Sequence, residues 1–186
     1  MKATTSLYRP GVPGLIPDAW IVNPYKTQTM PAVVAVHGIT RGTEEMVAHL
    51  LPRARETGRT LVVPLFDKDH WPRYQRAACK HRADWALLRL LTALRAEGVL
   101  NAAPVDLSGF SGGAQFAHRF AWLYPELVGR LCLPAPGWWT LPDPQQAWPH
   151  GIGTAPGDGG QGFRLQANLR RFLDRSILVC VGAEDT

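Results

Sequence analysis

The stretch from Val105 to His118 contains Gly109, Phe110, Ser111, Gly112 and Gly113, a G-x-S-x-G spacing around a hydroxyl nucleophile. Glycine and serine are common, so the spacing alone says little. Here an apolar, β-rich run leads into it and a helical pattern leads out. That strand–turn–helix setting is what a nucleophile elbow requires. So sharp a turn strains the serine backbone, and the small residues Gly109 and Gly113 relieve the crowding around it. A competing reading is a glycine-rich turn that binds phosphate through its amides. Neither a Walker lysine nor a G-x-G-x-x-G spacing accompanies it.

A second segment, Pro31 to Thr40, is an apolar run ending in His37 and Gly38. Attack on an acyl carbon builds negative charge on the carbonyl oxygen, and preorganised backbone N–H groups stabilise it. The turn after this run supplies one donor from Ile39 (or Gly38), and Gly112, the residue after the serine, supplies another. His37 is a tempting base but reads better as a structural histidine that shapes the loop. The third segment, Ser176 to Thr186, is an apolar run, then Gly182 and an acid. Asp185 suits a carboxylate at the carboxyl end of a strand, where it would orient a base. Glu184 is the weaker candidate.

These three segments, in this order, resemble the α/β-hydrolase superfamily from about Ala19 to Thr186. The resemblance implies a mostly parallel sheet with helices on both faces. It implies ester cleavage through an acyl-enzyme, with a small-molecule ester as substrate and no cofactor or metal. Ser111 would be the nucleophile, Gly112 and Ile39 (or Gly38) the oxyanion donors, and Asp185 the acid. Serine at the elbow argues against dehalogenase or epoxide-hydrolase chemistry, which uses a carboxylate there. Phe66 and Asp67, followed by Tyr74, Gln75 and Arg76, resemble a subset of bacterial esterases and depolymerase-like hydrolases.

The family order places a histidine after the acid, and here Thr186 is the only residue after Asp185. The family's last strand and helix have no counterpart either. His118 is two helical turns below Ser111, about 10 Å of rise. His49 and His81 belong to helical stretches, while His70 and His150 could reach the rim of the site. A sequence continuing past Thr186, or a degraded relative, is the simpler account. On that account the apolar run Ser176–Val181 is expected to form an association-prone sheet edge. A non-catalytic scaffold that binds a small apolar ligand, and an acyltransferase, are the rival functions.

The elements that must position these residues alternate along the chain. Strands are expected at Ala19–Val22, Ala32–His37, Thr60–Phe66, Val105–Phe110, Arg130–Leu133 and Ser176–Val181. Most are continuous apolar runs, as in parallel strands buried on both faces. Helices are expected at Glu44–Glu56 after an N-cap at Thr43, at Asp84–Glu97 with Trp85, Leu88, Leu91 and Leu94 on one face, and at Ala114–Tyr124. The pattern gives one α/β domain over 1–186 with a cap-like insert at about 134–174. Residues 134–162 are rich in Pro and Gly and hold Trp138, Trp139 and Trp148. The three tryptophans favour a partly ordered insert that lines the pocket over a disordered excursion.

The 186 residues carry a net charge of +5, with 46% apolar and 19% charged residues, which excludes a disordered chain. The 16 Arg and 4 Lys are scattered rather than gathered in a stripe or tail, so nucleic acid is not expected as a partner. No apolar run is long enough to span a bilayer. Cys79, Cys132 and Cys180 form no C-x-x-C motif. Reduced cysteines and an N-terminus without a signal-like run lead to a cytoplasmic expectation. Oligomeric state is not readable.

Overall fold

The computed structural model describes residues 6–23, 30–78, 80–154 and 160–184. Seven strands form one sheet: β1 (Ser6–Arg9), β2 (Asp18–Val22), β3 (Val33–Val36), β4 (Leu61–Leu65), β5 (Val105–Gly109), β6 (Val128–Pro134) and β7 (Ser176–Cys180). Their spatial order is β1-β2-β4-β3-β5-β6-β7. β1 and β2 run antiparallel, and β2 pairs antiparallel with β4. From β4 through β3, β5 and β6 to β7 every pairing is parallel. The α-helices among the described residues are α1 (Thr43–Thr57), α2 (Ala83–Ala96), α3 (Gly112–Leu123) and α4 (Gln161–Leu173).

Side chains alternate across the central strands, so each strand feeds two cores. Val34, Val36 and Val62 point to one face, where they pack with Leu87, Leu90, Leu91 and Leu94 of α2, Phe116 and Phe120 of α3, and Leu165 of α4. Ala35, Leu61 and Val63 point to the other face, covered by Met46, Val47, Leu50 and Leu51 of α1. All twelve residues of α3 are buried, because the sheet lies on one side of it and α4 and the insert lie on the other.

Several sequence expectations need adjustment. Gly42, not Thr43, is the N-cap of α1, and Thr43 is its first residue. The buried stripe of α2 runs through Leu87, Leu90, Leu91 and Leu94. Trp85 lies on its outer face, with the Arg82 guanidinium 3.6 Å from its ring centroid. β1 and α4 were not expected. β1 is largely exposed, so it carries no continuous apolar run. The insert is not only surface: Ile152 and Leu165 belong to the main core, and Thr140 is buried. β7 pairs with β6, yet all five of its residues are exposed, unlike a strand covered on both faces. Among the described residues, no helix is long and apolar enough to cross a membrane.

Candidate active site

Ser111 sits between β5 and α3 with φ 53° and ψ −114°, a backbone conformation that L-residues rarely hold. Its neighbours explain how the turn closes. A Cβ on Gly109 would fall on the Gly113 carbonyl, and one on Gly113 would fall on the Val36 carbonyl, so only glycine fits at either position. The turn is pinned by Ser111 N–H to the Pro134 carbonyl at 3.1 Å, and by Gly113 N–H to the Phe110 carbonyl at 2.8 Å. The hydroxyl is therefore held where β3, β5 and β6 end together.

The loop after β3 meets this turn. A Cβ on Gly112 would lie 3.5 Å from the Ile39 amide nitrogen, and one on Gly38 would lie 3.8 Å from the Ser111 Cβ. Gly38, Ile39, Ser111 and Gly112 are thus brought into one cluster. The loop's conformation is strongly determined. The Gly38 carbonyl accepts from the Arg41 N–H at 3.0 Å and lies 2.8 Å from His37 Nδ1. Arg41 Nη1 donates to the Ile39 carbonyl at 2.9 Å, and its Nε donates to the Phe66 carbonyl at 2.7 Å. In a trans peptide the carbonyl and the next N–H point in opposite directions. Holding the Gly38 carbonyl therefore turns the Ile39 N–H the other way. Among the described residues, neither this amide nor that of Gly112 donates to a loop or turn carbonyl.

His37 is the structural histidine expected of it. The Phe66 N–H donates to its Nε2 at 3.0 Å, so the ring proton is on Nδ1 and is given to the Gly38 carbonyl. Burial lowers its pKa to about 4, so it is neutral near pH 7. Tyr74 was not singled out for this site from the sequence. Its hydroxyl donates to the His37 carbonyl at 2.7 Å and lies 3.0 Å from where a Gly112 Cβ would be. Nothing in its sequence neighbourhood signals that contact, which spans 37 residues.

Three further histidines have partners of their own. His118 is buried, accepts from the Thr140 N–H at 3.1 Å, and is pushed down to about 3, chiefly by burial and then by the Arg119 charge. His70 Nδ1 lies 3.0 Å from Asp67, on the loop after β4 and beside Gly14. That position is two strands from β5, roughly 10 Å by strand spacing. His150 stacks on Trp138 at 4.7 Å. Asp185 lies outside the described residues, and Glu184 is exposed beyond the end of β7. Among the described residues, the Ser111 hydroxyl has no hydrogen-bonded base.

The three tryptophans gather on the flank of α3 rather than at the turn itself. The Arg119 guanidinium lies 4.4 Å from the Trp138 ring centroid and 5.7 Å from that of Trp148, and Trp139 packs at 5.0 Å from His118. Fully buried Arg119 also donates to the Thr140 hydroxyl at 2.9 Å, the Gln75 carbonyl at 2.6 Å and the Pro149 carbonyl at 3.4 Å. It ties the insert and the Tyr74–Arg76 turn to α3, eight residues or about 12 Å of rise from Ser111.

On the α1 side of the sheet, a cavity of about 380 Å³ is lined by Gly38, Thr40, Met46, Leu50, Ser108, Phe110 and Pro134, among others. Phe110 is 53% exposed and Ile39 is 60% exposed, so the turn is flanked by open apolar surface.

The overall fold recurs in known structures. A poly(aspartic acid) hydrolase-1 from Sphingomonas sp. KT-1 superposes with a TM-score of 0.75 at 22% identity, over 99% of this chain and 73% of that one. The LpqC poly(3-hydroxybutyrate) depolymerase from Bordetella parapertussis gives 0.73 at 21% identity, over 100% and 67%. An S-formylglutathione hydrolase from Staphylococcus aureus gives 0.61 at 13% identity, over 97% and 77%. The chain has the α/β-hydrolase fold. No protein-family model matches the sequence, and no curated protein does. Within the α/β-hydrolase fold, Ser111 holds the place between β5 and α3 where the G-x-S-x-G spacing put it.

Proposed function

We propose that the chain is a serine hydrolase of carboxylic esters that acts through an acyl-enzyme on Ser111. The observation that carries this reading is the strained serine between two glycines that admit no side chain, with the Gly112 and Ile39 amides beside it. Ser111 Oγ attacks the acyl carbon, and its proton passes to a base outside the described residues, with Asp185 as the proposed orienting acid. The carbonyl oxygen gains the negative charge and rests on the Ile39 and Gly112 N–H groups. The alcohol leaves with a proton, and water then releases the acid from the serine. Exposed Ile39 and Phe110, and the cavity beside them, suit an apolar part of the ester. Relatives by fold include a depolymerase and a polymer hydrolase, which fits an ester drawn from a polymer chain.

A fluorophosphonate probe tests the nucleophile without requiring full turnover. Covalent labelling at Ser111, lost in Ser111→Ala, is the expected result. Any ester cleavage should fall by at least about 10³-fold in that variant, because the reacting groups act as a unit. Labelling of another residue, or unchanged cleavage by Ser111→Ala, would remove the assignment. The unpartnered Ser111 hydroxyl favours one second reading, a ligand-binding scaffold of the same fold. That reading expects no labelling at all.

A further inference from the structure

Between β4 and α2 the chain runs from His70 to Ala83 with Arg73, Arg76, Lys80 and Arg82, two histidines and no acidic residue. Among its described residues Arg73, Lys80 and His81 are exposed, while Tyr74, Ala77 and Ala83 are buried beneath them. The segment folds around a second cavity of about 380 Å³, lined by Arg73, Arg76, Lys80, His81 and Arg82 together with Tyr74. That volume is within the range of small-molecule sites, roughly 300–1,000 Å³. Arg82 is partly spoken for: its guanidinium forks onto buried Asp84 at 2.9 and 2.7 Å. Arg73, Lys80 and His81 have no carboxylate partner among the described residues. Like charges gathered in one concavity repel one another, and an anion entering it relieves that repulsion while gaining charge-assisted hydrogen bonds.

The cavity and the Ser111 turn share the Tyr74 side chain. Tyr74 forms part of the cavity wall, and the Tyr74 hydroxyl reaches the His37 carbonyl and the space beside Gly112. The wall is also firmly placed. Arg119 holds the Gln75 carbonyl, and Arg41 Nη2 reaches the Trp71 and Pro72 carbonyls at 3.4 and 3.3 Å. We propose that this basic cavity receives an oxyanion-bearing group, carboxylate or phosphate, of the substrate whose acyl carbon Ser111 attacks. The proposal rests on the reading of Ser111 as nucleophile. It extends that reading from an apolar ester to one with an anionic part next to the scissile group. Arginine forks bind both oxyanions, so the experiment separates the two.

Binding is read by fluorescence anisotropy with fluorescein-labelled deca-aspartate as probe and the full 186-residue chain. Charge reversal at Arg73→Glu with Lys80→Glu should weaken binding by at least about tenfold, and neutralisation by Lys80→Gln by less. Arg170→Glu with Arg171→Glu on α4 makes the same change in net charge outside the cavity and should leave binding unchanged. Unaltered binding in the Arg73→Glu/Lys80→Glu protein overturns the proposal, as does an equal loss in the Arg170→Glu/Arg171→Glu protein. Competition by succinate and by pyrophosphate identifies the group: the competitor effective at the lower concentration carries the preferred oxyanion, and displacement by neither overturns the proposal. Fluorophosphonate labelling of the same proteins keeps the two readings separate. Labelling retained while anion binding is absent refutes the cavity alone. Anion binding without labelling refutes the Ser111 reading, and with it the cavity's role as a substrate site.

Discussion

The β5–α3 corner and the β7 edge are neighbours in one sheet and opposites in construction. At the corner every residue of α3 is buried, two glycines admit no side chain, and polar groups such as His37, His118 and Arg119 are buried with partners. At the edge all five residues of β7 are exposed, although its backbone pairs in register with β6 from Ser176 to Cys180. Backbone pairing alone therefore does not make a rigid site. The strain at Ser111 persists because its surroundings leave it no alternative conformation. β7 has nothing comparable, so the two regions should respond very differently to substitution.

The largest effect is expected at the corner. In Gly113→Val the added Cβ would collide with the Val36 and His37 carbonyls, backbone atoms that cannot swing aside. A loss above about 4 kcal/mol, or no folded protein, should show in urea unfolding. Gly160→Ala is the control. A Cβ there meets nothing within 4 Å, and only its φ of +76° penalises the change. That should cost about 1–2 kcal/mol. Equal losses for the two glycines would mean that the corner is not packed as described.

Arg119 comes next. Arg119→Met keeps much of the apolar stem but removes the guanidinium donor from the Thr140 hydroxyl and the Gln75 carbonyl, while the Pro149 carbonyl keeps the Thr140 hydroxyl as donor at 2.6 Å. A destabilisation of about 2–4 kcal/mol is expected. Tryptophan fluorescence should change as well, since Trp138 and Trp148 both face the guanidinium. A stability change with no change in the tryptophan signal would show that the insert is not organised by this residue.

The buried histidines give the corner a pH dependence that the edge lacks. In the folded chain burial holds His37 near 4 and His118 near 3, against an ordinary value of 6.5. Between those values the unfolded chain binds protons that the folded chain refuses. Stability is therefore complete above about pH 7 and falls as the pH drops from 6.5 towards 4, and further towards 3 for His118. The decline should reach several kcal/mol, on the order of 3 for His37 alone. Urea midpoints measured at pH 7.5, 6 and 5 check this, and His37→Asn should flatten the slope. A flat wild-type profile over that range would contradict the buried, neutral tautomers.

The contrast between corner and edge also explains what could be read before folding. The tight turn at Ser111 was legible because a strained backbone there requires glycine at fixed offsets, and Gly109 and Gly113 leave that requirement in the sequence. The parallel strands were legible from their continuous apolar runs. Arg119 was not singled out, and Tyr74 was named for a resemblance but not for its contact at the Ser111 turn, because their work is done across 44 and 37 residues of chain on backbone carbonyls, which have no sequence signature. α4 follows directly on the Pro/Gly-rich stretch and was read as part of the insert, because it buries only Gln161, Gly162 and Leu165. Trp85 misled because an aromatic at helical spacing suggests core, whereas here Arg82 covers it on the outer face.

The smallest expected effect is also the sharpest comparison. Leu131 in β6 and Leu178 in β7 lie on adjacent strands and make the same kind of backbone ladder. They differ in burial, at 2% and 58% exposed. Truncation to alanine removes the same atoms from each, so the difference in cost measures the surroundings alone. Leu131→Ala should cost about 2–5 kcal/mol, from lost burial and the cavity left behind. Leu178→Ala should cost about 1 kcal/mol or less, since more than half of that side chain already faces water. Chemical denaturation at two protein concentrations is the measurement. Similar losses at both sites would mean that β7 is covered in solution. If the Leu178 cost also grew with protein concentration, the cover would be a second copy of the chain pairing along the open edge.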